Sequence, residues 1–414
     1  MGLCSNVLRA PPPRPQGSPV SSTIASLEVI PIVTPAVNAS DCDGAADTVV
    51  VRLTDEEGRT GIGEADAPAD LVRAFIEQPD LHVWSRNVRN LVVGRDPFPI
   101  ASLVDKLYGA TLYPGRRGLG IHALSAIDIA LHDLVGKQLG RPVYELLGGA
   151  RKETLSPYAT VFPGLPQGRS LAELMRDIGR RFDAALECGF RAVKMECLFY
   201  DLVTDAQLVD AIREGRGMLG DDIPLMLDFG YRWSDWRAAL WTLRRVEDCD
   251  IYFAEATLQH DDLEGHARLA ERVETRVCGA EFAATRFECH EWLTQAGVDV
   301  LQPDINRCGG LTEIGRIAEL AAYHAASVIP HGWKTGITAA AGRHFHAATV
   351  NSPTFEFLSP LLWDSPIRSE LVRPEPAIRD GRMELPTGAG LGVELDEDAL
   401  ARYRVDQPRV TGSR

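Results

Sequence analysis

Three acidic residues stand at regular intervals in the second half of the chain. Asp228, Glu255 and Glu281 each lie near the C-terminal end of a short apolar run that is typical of a buried parallel strand. The intervals match one strand, one helix and two loops, so three neighbouring strands would carry the acids at one level. Converging carboxylates without His or Cys form a hard oxygen site that suits Mg²⁺. We therefore predict one magnesium ion per subunit, held by these three residues.

Titratable residues on the neighbouring apolar runs extend this pattern. Lys194 and Glu196 fall on one face of the preceding run, because side chains on a strand alternate with a period of two. Asp304 and His331 follow on the next two runs, where a carboxylate could hold one ring nitrogen and leave the other to act as a general base. Glu356, on the last run, fits either a protonated hydrogen-bond donor to a substrate carboxylate or a paired acid.

The elements around these residues indicate a barrel. Eight apolar runs alternate with amphipathic segments such as SDWRAALWTLRRVED, and their sequences are SPYATVF, AVKMECL, PLMLDF, IYFAEA, VCGAEF, VLQPDI, SVIPHG and FEFLS. That number of strand–helix units closes into a parallel barrel, whose mouth holds active sites. The last barrel helix is expected to be missing or displaced.

The first part of the chain has a different pattern, that of a small α+β module. Antiparallel strands are expected up to about residue 65, then a helical stretch from Asp70 to Arg86 and a helix from Ile121 that stops at Gly140. We predict a mobile Pro-rich tail (1–21), an N-terminal α+β domain (22–150), the barrel (151–360) and a C-terminal segment (361–414) that returns to the N-terminal domain.

Composition narrows the class of partner. With 58 acidic and 43 basic residues the net charge is −15, which argues against nucleic acid and against an anionic membrane surface. A small carboxylate substrate is not excluded, because a local cation can reverse the field of one pocket. The eight cysteines are scattered without metal-like spacing, which is typical of reduced thiols in a cytoplasmic protein. The sequence has no secretory signal and no membrane-spanning apolar run.

Several motifs resemble the enolase superfamily, and within it the mandelate racemase and muconate lactonizing enzyme group. The matching stretches are SAIDIALHDLVGKQLGRPVYELLGG, AVKME, LMLDFG, FAEA, GAE, QPDINRCGGLTE and PHGW. The resemblance implies a modified (β/α)7β TIM barrel under a capping domain, with Mg²⁺ on the three acids. It also implies that loops near Ile32 to Asp47 and Gly61 to Asp70 close over the substrate, and that relatives form homodimers or octamers.

The reaction implied by the resemblance is removal of a proton next to a carboxylate, which gives an enediolate. Relatives usually have a second lysine at the position of Glu196, so this chain lacks a base there, and Glu196 would either fix Lys194 or contact a substrate hydroxyl. Relatives often have Asn at the position of Gly230, where glycine would leave room but no donor. Cys308, Trp333 and Lys334 lie near the mouth by position, where packing or solvation is the simpler reading.

With His331 as the one competent base, we predict syn-dehydration of a sugar acid, an aldonate or aldarate, to a 2-keto-3-deoxy acid. Dehydration manages with a base on one face, whereas inversion of a stereocentre needs groups on both. A racemase, epimerase or cycloisomerase that uses Lys194 or Glu196 opposite His331 is the alternative within the class. A non-catalytic metal-binding barrel is the alternative from another class. Schiff-base chemistry at Lys194 is disfavoured, because nearby acids keep a lysine protonated.

Overall fold

A computed structural model describes residues 22–34, 47–363 and 365–405 of the chain. The predicted tail of residues 1–21 lies outside the described residues, as do residues 35–46 of the predicted capping loop between Ile32 and Asp47. In the described part, an antiparallel sheet with helices precedes an eight-stranded parallel sheet. This architecture confirms the predicted fold class, a barrel with an N-terminal capping domain.

The capping domain begins with three antiparallel strands: β1 (Ile24–Val33), β2 (Asp47–Asp55) and β3 (Thr60–Ala65). β2 lies in the centre and pairs with both neighbours. Its Val49 and Val51 pack with the helices of this domain, whereas Val50 packs with the barrel core. This arrangement follows from the two-residue period of a strand, which sends alternate side chains to opposite faces.

The helices of the capping domain follow the sheet: α1 (Ala69–Glu77), α2 (Val88–Val92), α3 (Ile100–Ala110), α4 (Leu112–Gly115), α5 (Leu119–Leu139) and α6 (Val143–Leu146). The prediction of helix from Asp70 to Arg86 was wrong beyond Glu77. Pro79 disfavours helical dihedrals at the residue before it, and Gln78 accordingly adopts φ −52° and ψ 148°.

Helix α5 is the structural centre of the capping domain, and it ends at the predicted Gly140, which is left-handed with φ +66°. Its length and apolar composition would suffice to cross a membrane, but most of its residues are buried inside this fold. Strand β3 packs closely against it at Gly61 and Gly63, where a Cβ atom would collide with the backbone of α5. The helix is therefore a core element.

The barrel contains all eight predicted strands: β4 (Pro157–Val161), β5 (Val193–Glu196), β6 (Leu225–Asp228), β7 (Ile251–Glu255), β8 (Arg276–Gly279), β9 (Val300–Leu301), β10 (Ser327–Val328) and β11 (Phe355–Glu356). All pairs are parallel, in the order β11-β4-β5-β6-β7-β8-β9-β10. The two end strands approach each other where the Gly332 amide donates to Glu356 Oε2 at 2.7 Å.

Helices on the outside connect the barrel strands: α7 (Leu171–Glu187), α8 (Asp205–Leu219), α9 (Trp236–Arg244), α10 (Leu263–Ala270), α11 (Thr285–Glu291) with a π-helical turn (Trp292–Ala296), α12 (Ile305–Cys308), α13 (Gly310–Tyr323) and α14 (Gly336–Ala348). Short 3₁₀ turns occupy Tyr200–Leu202 and Glu247–Cys249. Side-chain caps begin several helices, and Ser170 and Thr204 form complete capping boxes for α7 and α8.

The C-terminal segment contains α15 (Pro366–Glu370), β12 (Val372–Arg373), β13 (Ile378–Arg379), β14 (Arg382–Met383), β15 (Glu394–Leu395) and α16 (Glu397–Tyr403). It contacts the capping domain, because Arg404 pairs with Glu28 at 2.7 Å and Arg52 with Glu397 at 2.8 Å. The segment therefore returns to the N-terminal part of the chain, as its sequence predicts. The domain boundaries at residues 150 and 360 stay predictions.

Candidate active site at the carboxyl ends of the barrel strands

The barrel strands end at a cavity of about 320 Å³ that the capping domain also lines. Six of the eight predicted site residues line it: Lys194, Glu196, Asp228, Glu281, His331 and Glu356. The other two are buried behind this lining, with Glu255 in contact with Lys194 and Asp304 in contact with His331. The structure thus brings all eight residues to the carboxyl ends of the strands, where parallel barrels form their active sites.

Parallel pairing sets the first acids at one level. In the register of the sheet, Asp228 lies opposite Glu196 on β5 and opposite Glu255 on β7. Glu281 follows the end of β8 by two residues, after Ala280, which has φ +83°. Such a conformation is uncommon for a residue with a side chain and occurs where a structure over-determines it. The strand ends are therefore shaped by their loops as well as by the sheet.

Lys194 is fully buried among three carboxylates. Its Nζ lies 2.7 Å from Glu255 Oε2, 3.0 Å from Glu356 Oε1 and 3.8 Å from Asp228 Oδ2. Burial alone would lower the pKa of Lys194, but the charges of Glu255 and Glu356 outweigh it and hold the pKa well above the ordinary value. Lys194 is therefore an ammonium ion held by acids on three other strands. The interpretation that Glu196 fixes it stays a prediction.

The buried acids at this level have the properties of ligands for a cation. Burial and the neighbouring Glu255 charge raise the pKa of Asp228 to about 8, and burial also raises the pKa of Glu255. Oε1 of Glu255 is buried and accepts no hydrogen bond from any described residue. An orphaned buried carboxylate oxygen is costly, and a hard dication would compensate for it. The donor set of Asp228, Glu255 and Glu281 therefore fits Mg²⁺.

Glu281 turns toward a second group of side chains. Its Oε1 accepts a hydrogen bond from the Tyr231 hydroxyl, and its Oε2 lies 3.3 Å from His331 Nε2 and 3.7 Å from Arg307 Nη1. Consequently, no three His, Cys, Asp or Glu side chains among the described residues already stand in metal-binding geometry. Joining Glu281 to Asp228 and Glu255 around one ion requires a rotation of its side chain.

His331 and Asp304 form the predicted pair. Asp304 caps α12, where its Oδ1 accepts from the Asn306 amide at 2.7 Å, and its Oδ2 lies 2.7 Å from His331 Nδ1. This contact assigns the proton to Nδ1 and directs Nε2 toward Glu281. Burial lowers the pKa of His331, but the charge of Glu281 and the hydrogen bond to Asp304 outweigh burial and raise the pKa to about 9.

Glu356 is a paired and ionised acid. Its Oε1 accepts from Lys194 and from the Thr160 hydroxyl, and its Oε2 accepts from the Gly332 amide. Burial raises the pKa of Glu356, yet Lys194 and these hydrogen bonds outweigh burial and bring the pKa to about 2. The reading of Glu356 as a protonated donor was therefore wrong, because three donors already converge on its carboxylate, and the paired-acid alternative describes it.

An ion network from the capping domain was missed by the sequence reasoning. Asp66, just after β3, accepts from Arg307 Nε at 2.9 Å and from Lys334 Nζ at 2.9 Å. These two cations outweigh burial and lower the pKa of Asp66. Lys334 is therefore buried and paired rather than solvated. Asp66 lies within the loop from Gly61 to Asp70, which was the available signal, but nothing in the sequence joined it to Arg307.

Three positions near the mouth differ from or refine the sequence reading. Gly230 has φ +54°, and the space that a Cβ atom would need is filled by Leu198, so glycine does not leave room here. Trp333 lines the cavity and packs against Trp363 at 5.2 Å between ring centroids. Cys308 is fully buried and lies in the barrel core, as the packing interpretation expects.

Fold and site together define a capped-barrel enzyme with an acid-lined mouth. Residues 21–148 match the family model of the mandelate racemase/muconate lactonizing enzyme N-terminal domain, and residues 177–399 match that of the enolase C-terminal domain-like family. The chain belongs to the mandelate racemase/muconate lactonizing enzyme family of the enolase superfamily. This confirms the resemblance seen in its motifs.

Relatives with known names are sugar-acid enzymes. A D-galactarolactone cycloisomerase of Agrobacterium fabrum is 31% identical, with 87% of this chain and 92% of the relative covered. An arabinonate dehydratase of Saccharolobus solfataricus is 30% identical, with 86% and 90% covered.

Solved structures share the whole fold. A crystal structure of a protein provisionally called a racemase is 43% identical, with a TM-score of 0.88 and with 92% of this chain and 98% of its own covered. A mandelate racemase/muconate lactonizing protein of Paracoccus denitrificans PD1222, complexed with magnesium, is 27% identical, with a TM-score of 0.79 and 92% and 98% covered.

Proposed function

We propose that the protein is a magnesium-dependent dehydratase that converts a sugar acid, an aldonate or aldarate, into a 2-keto-3-deoxy acid. The observation that carries the proposal is the geometry of His331, which lines the cavity with its Nδ1 held by Asp304 at 2.7 Å and its Nε2 3.3 Å from Glu281 Oε2. An imidazole fixed in this way presents one nitrogen to a substrate as a general base.

His331 would serve as base and then as acid. In its neutral form, Nε2 takes the proton from the carbon next to the substrate carboxylate, and the imidazolium so formed returns that proton to the hydroxyl leaving the adjacent carbon. One water molecule departs, and the resulting enol tautomerises to the 2-keto-3-deoxy acid. Because the same group handles both transfers, the proton and the hydroxyl leave from one side, and the elimination is syn.

The state of Lys194 supports a single base. Glu255 and Glu356 hold it as a buried ammonium ion, which cannot accept a proton at neutral pH. Glu196, which stands where relatives have a second lysine, lines the cavity on the same strand. We assign Lys194 to charge balance and to stabilisation of negative charge that develops on the substrate, and Glu196 to a substrate hydroxyl.

Asp228, Glu255 and Glu281 would hold Mg²⁺. When bound, the ion supplies positive charge that offsets the second negative charge of the enediolate. The chain prepares the site by burying Glu255 and by keeping its Oε1 without a hydrogen bond from any described residue. The solved Paracoccus relative that is complexed with magnesium supports this choice of metal.

The substrate class is supported by the relatives and by the lining of the cavity. Arabinonate dehydratase, 30% identical, acts on a sugar acid according to its name. The cavity of about 320 Å³ carries Arg307 and Lys334 as well as acids, which suits a small polyhydroxylated carboxylate. A cytoplasmic location and a homodimer or octamer stay predictions.

The test is incubation of the purified protein with Mg²⁺ and a panel of aldonates and aldarates, scored for 2-keto acid. A His331→Asn variant should lose activity by about 10²–10⁴-fold or more, the share usual for a general base. His324→Asn, at an exposed position on the barrel surface, is the matched control and should retain activity. Failure to dehydrate any member of the panel, together with racemisation of a simpler 2-hydroxy acid, would refute the proposal.

A second candidate is cycloisomerisation of a sugar-acid lactone, which the 31% identical D-galactarolactone cycloisomerase favours. Proton transfer at the carbon next to the carboxylate would then occur without loss of water. Product analysis in D₂O separates the two candidates. Deuterium in a product of unchanged elemental composition would favour the cycloisomerase, and release of water with keto-acid formation would favour the dehydratase.

A further inference from the structure

A second cavity lies at the opposite end of the barrel from the candidate active site. It has a volume of about 550 Å³ and is bordered by Thr154, just ahead of β4, and by the C-terminal segment. The backbones of Leu155 and Met383 exchange hydrogen bonds of 2.8 and 3.0 Å there. Since the catalytic residues lie at the carboxyl ends of the strands, this cavity belongs to the amino-terminal end of the barrel.

Three arginines line this cavity: Arg343 on α14, Arg379 on β13 and Arg382 on β14. Acidic residues outnumber basic ones in the chain, 58 to 43, and most arginines of the described residues pair with a carboxylate. None of these three does so within the described part of the chain. Glu384 also lines the cavity, so its charged residues sum to a net positive charge.

Arg343 is the most informative of the three. Its side chain is buried, with 9% of the residue exposed, and its Nε atom has no hydrogen-bond partner among the described residues. Its Nη2 makes one long contact, 3.4 Å, to the Glu384 carbonyl oxygen. Arg382 donates to the Ser156 hydroxyl. A buried guanidinium with unused donors is costly, because its lost hydration is not replaced.

An oxyanion would satisfy these donors. Guanidinium groups bind carboxylate and phosphate through paired charge-assisted hydrogen bonds, and several around one cavity add to the local positive field. Pro374, Pro376 and Pro386 restrict the backbone of part of the remaining wall, which also contains the polar residues Thr154 and Thr387. A cavity of this volume, with charged and polar groups set among apolar residues, has the character of a small-molecule site.

We propose that this cavity binds the carboxylate or phosphate group of a small metabolite, at a site separate from the active site. Its main anchor is Arg343, with Arg379 and Arg382 at the entrance. The proposal does not depend on the reaction catalysed at the other end of the barrel.

The test is calorimetric titration of the full-length, metal-free protein with inorganic phosphate and, separately, with succinate. Binding of either should weaken with salt, and the tighter of the two identifies the preferred oxyanion. Arg343→Gln should weaken binding by about tenfold or more, since hydrogen bonds to a charged group are among the strongest in proteins.

Control variants distinguish the two cavities and guard against misfolding. Arg379→Gln with Arg382→Gln changes only exposed side chains and should also weaken binding, by about three- to tenfold. Arg237→Gln, which removes a surface charge elsewhere, should leave it unchanged. Lys334→Gln alters the active-site cavity and should not affect it. No binding of either anion, or binding that Lys334→Gln abolishes and the arginine variants spare, would overturn the proposal.

Discussion

In the metal-free protein the imidazole of His331 should be protonated at neutral pH. Burial opposes the charge, but Glu281 and Asp304 raise the pKa of His331 from 6.5 to about 9. A shift of this size corresponds to about 3 kcal/mol in favour of the imidazolium. The carboxylate charge of Glu281 is the larger of the two causes that raise this pKa, and Mg²⁺ bound at Glu281 would neutralise it. The pKa should therefore fall by about 1 unit or more, while Asp304 maintains the rest.

The assay is a nuclear magnetic resonance titration of the histidine ring nitrogens, first with a chelator and then with saturating Mg²⁺. The His331→Asn variant assigns the resonance. In the chelated protein the ring should titrate near pH 9, and with Mg²⁺ it should titrate at lower pH, so that the neutral base is available at neutral pH. An unchanged pKa on saturation with Mg²⁺ would refute the reasoning, because it would show that the ion does not bind against Glu281.

The same coupling must appear in the metal affinity. Linkage is reciprocal: if Mg²⁺ lowers the pKa of His331, loss of the His331 proton strengthens Mg²⁺ binding. For each pKa unit of the shift, the Mg²⁺ affinity should rise by about tenfold as the pH increases from the pKa of the Mg²⁺-bound protein to that of the metal-free protein. Asp228, whose pKa is raised to about 8, contributes a second proton that competes with the ion. Calorimetric titrations with Mg²⁺ at several pH values in this range measure how the Mg²⁺ affinity changes with pH. That change should be larger for the wild type than for His331→Asn, which lacks the His331 proton and retains that of Asp228.

Three further predictions concern packing and buried charge, each measured by urea unfolding. Gly63→Ala should destabilise by about 1–3 kcal/mol, because its Cβ atom would collide with α5, whereas Gly217→Ala, in open space on α8, should be neutral or stabilising. With a chelator present, Lys194→Met should lower the free energy of unfolding by about 3–5 kcal/mol, because it leaves buried carboxylates without their cation, and Mg²⁺ should restore part of this stability. An unchanged stability in chelator would contradict the pairing. Gly230→Ala should lower the free energy of unfolding by about 1–3 kcal/mol, and adding Leu198→Ala should recover the part of this loss that comes from the clash with Leu198. If the effects of the two substitutions simply add in the double variant, the contact is contradicted.

The fold was accessible from the sequence because local patterns and topology agree. Each of the eight barrel strands coincides with an apolar run, and the acids at the ends of β6 and β7 fall opposite each other in the register. The failure beyond Glu77 has a local cause, since Pro79 disfavours helical dihedral angles at Gln78 and ends the helix there.

The electrostatics of the site were less accessible, because they depend on contacts between residues far apart in the chain. Whether Glu356 is protonated depends on Lys194, Thr160 and the Gly332 amide, which only the folded barrel brings together. The Asp66–Arg307 pair joins residues 241 positions apart, and neither is part of a pattern that indicates the other. The sequence thus selected eight residues that the fold brings together and indicated a protonated Lys194, but it could not decide the protonation states of Glu356 and His331.

Helix α5 joins the two halves of the molecule through carboxylates that both halves share. Asp128 accepts from the Thr312 amide of α13 at 3.0 Å, and Asp133 accepts from the amides of Ile62 and Leu391 at 2.8 and 2.7 Å. Separating α5 from the barrel and the C-terminal segment would expose an apolar helix and leave two backbone donors, the amides of Thr312 and Leu391, without their carboxylate partners. We therefore expect a single calorimetric melting transition, and a barrel expressed without residues 22–150 should be insoluble or molten rather than an independent folding unit.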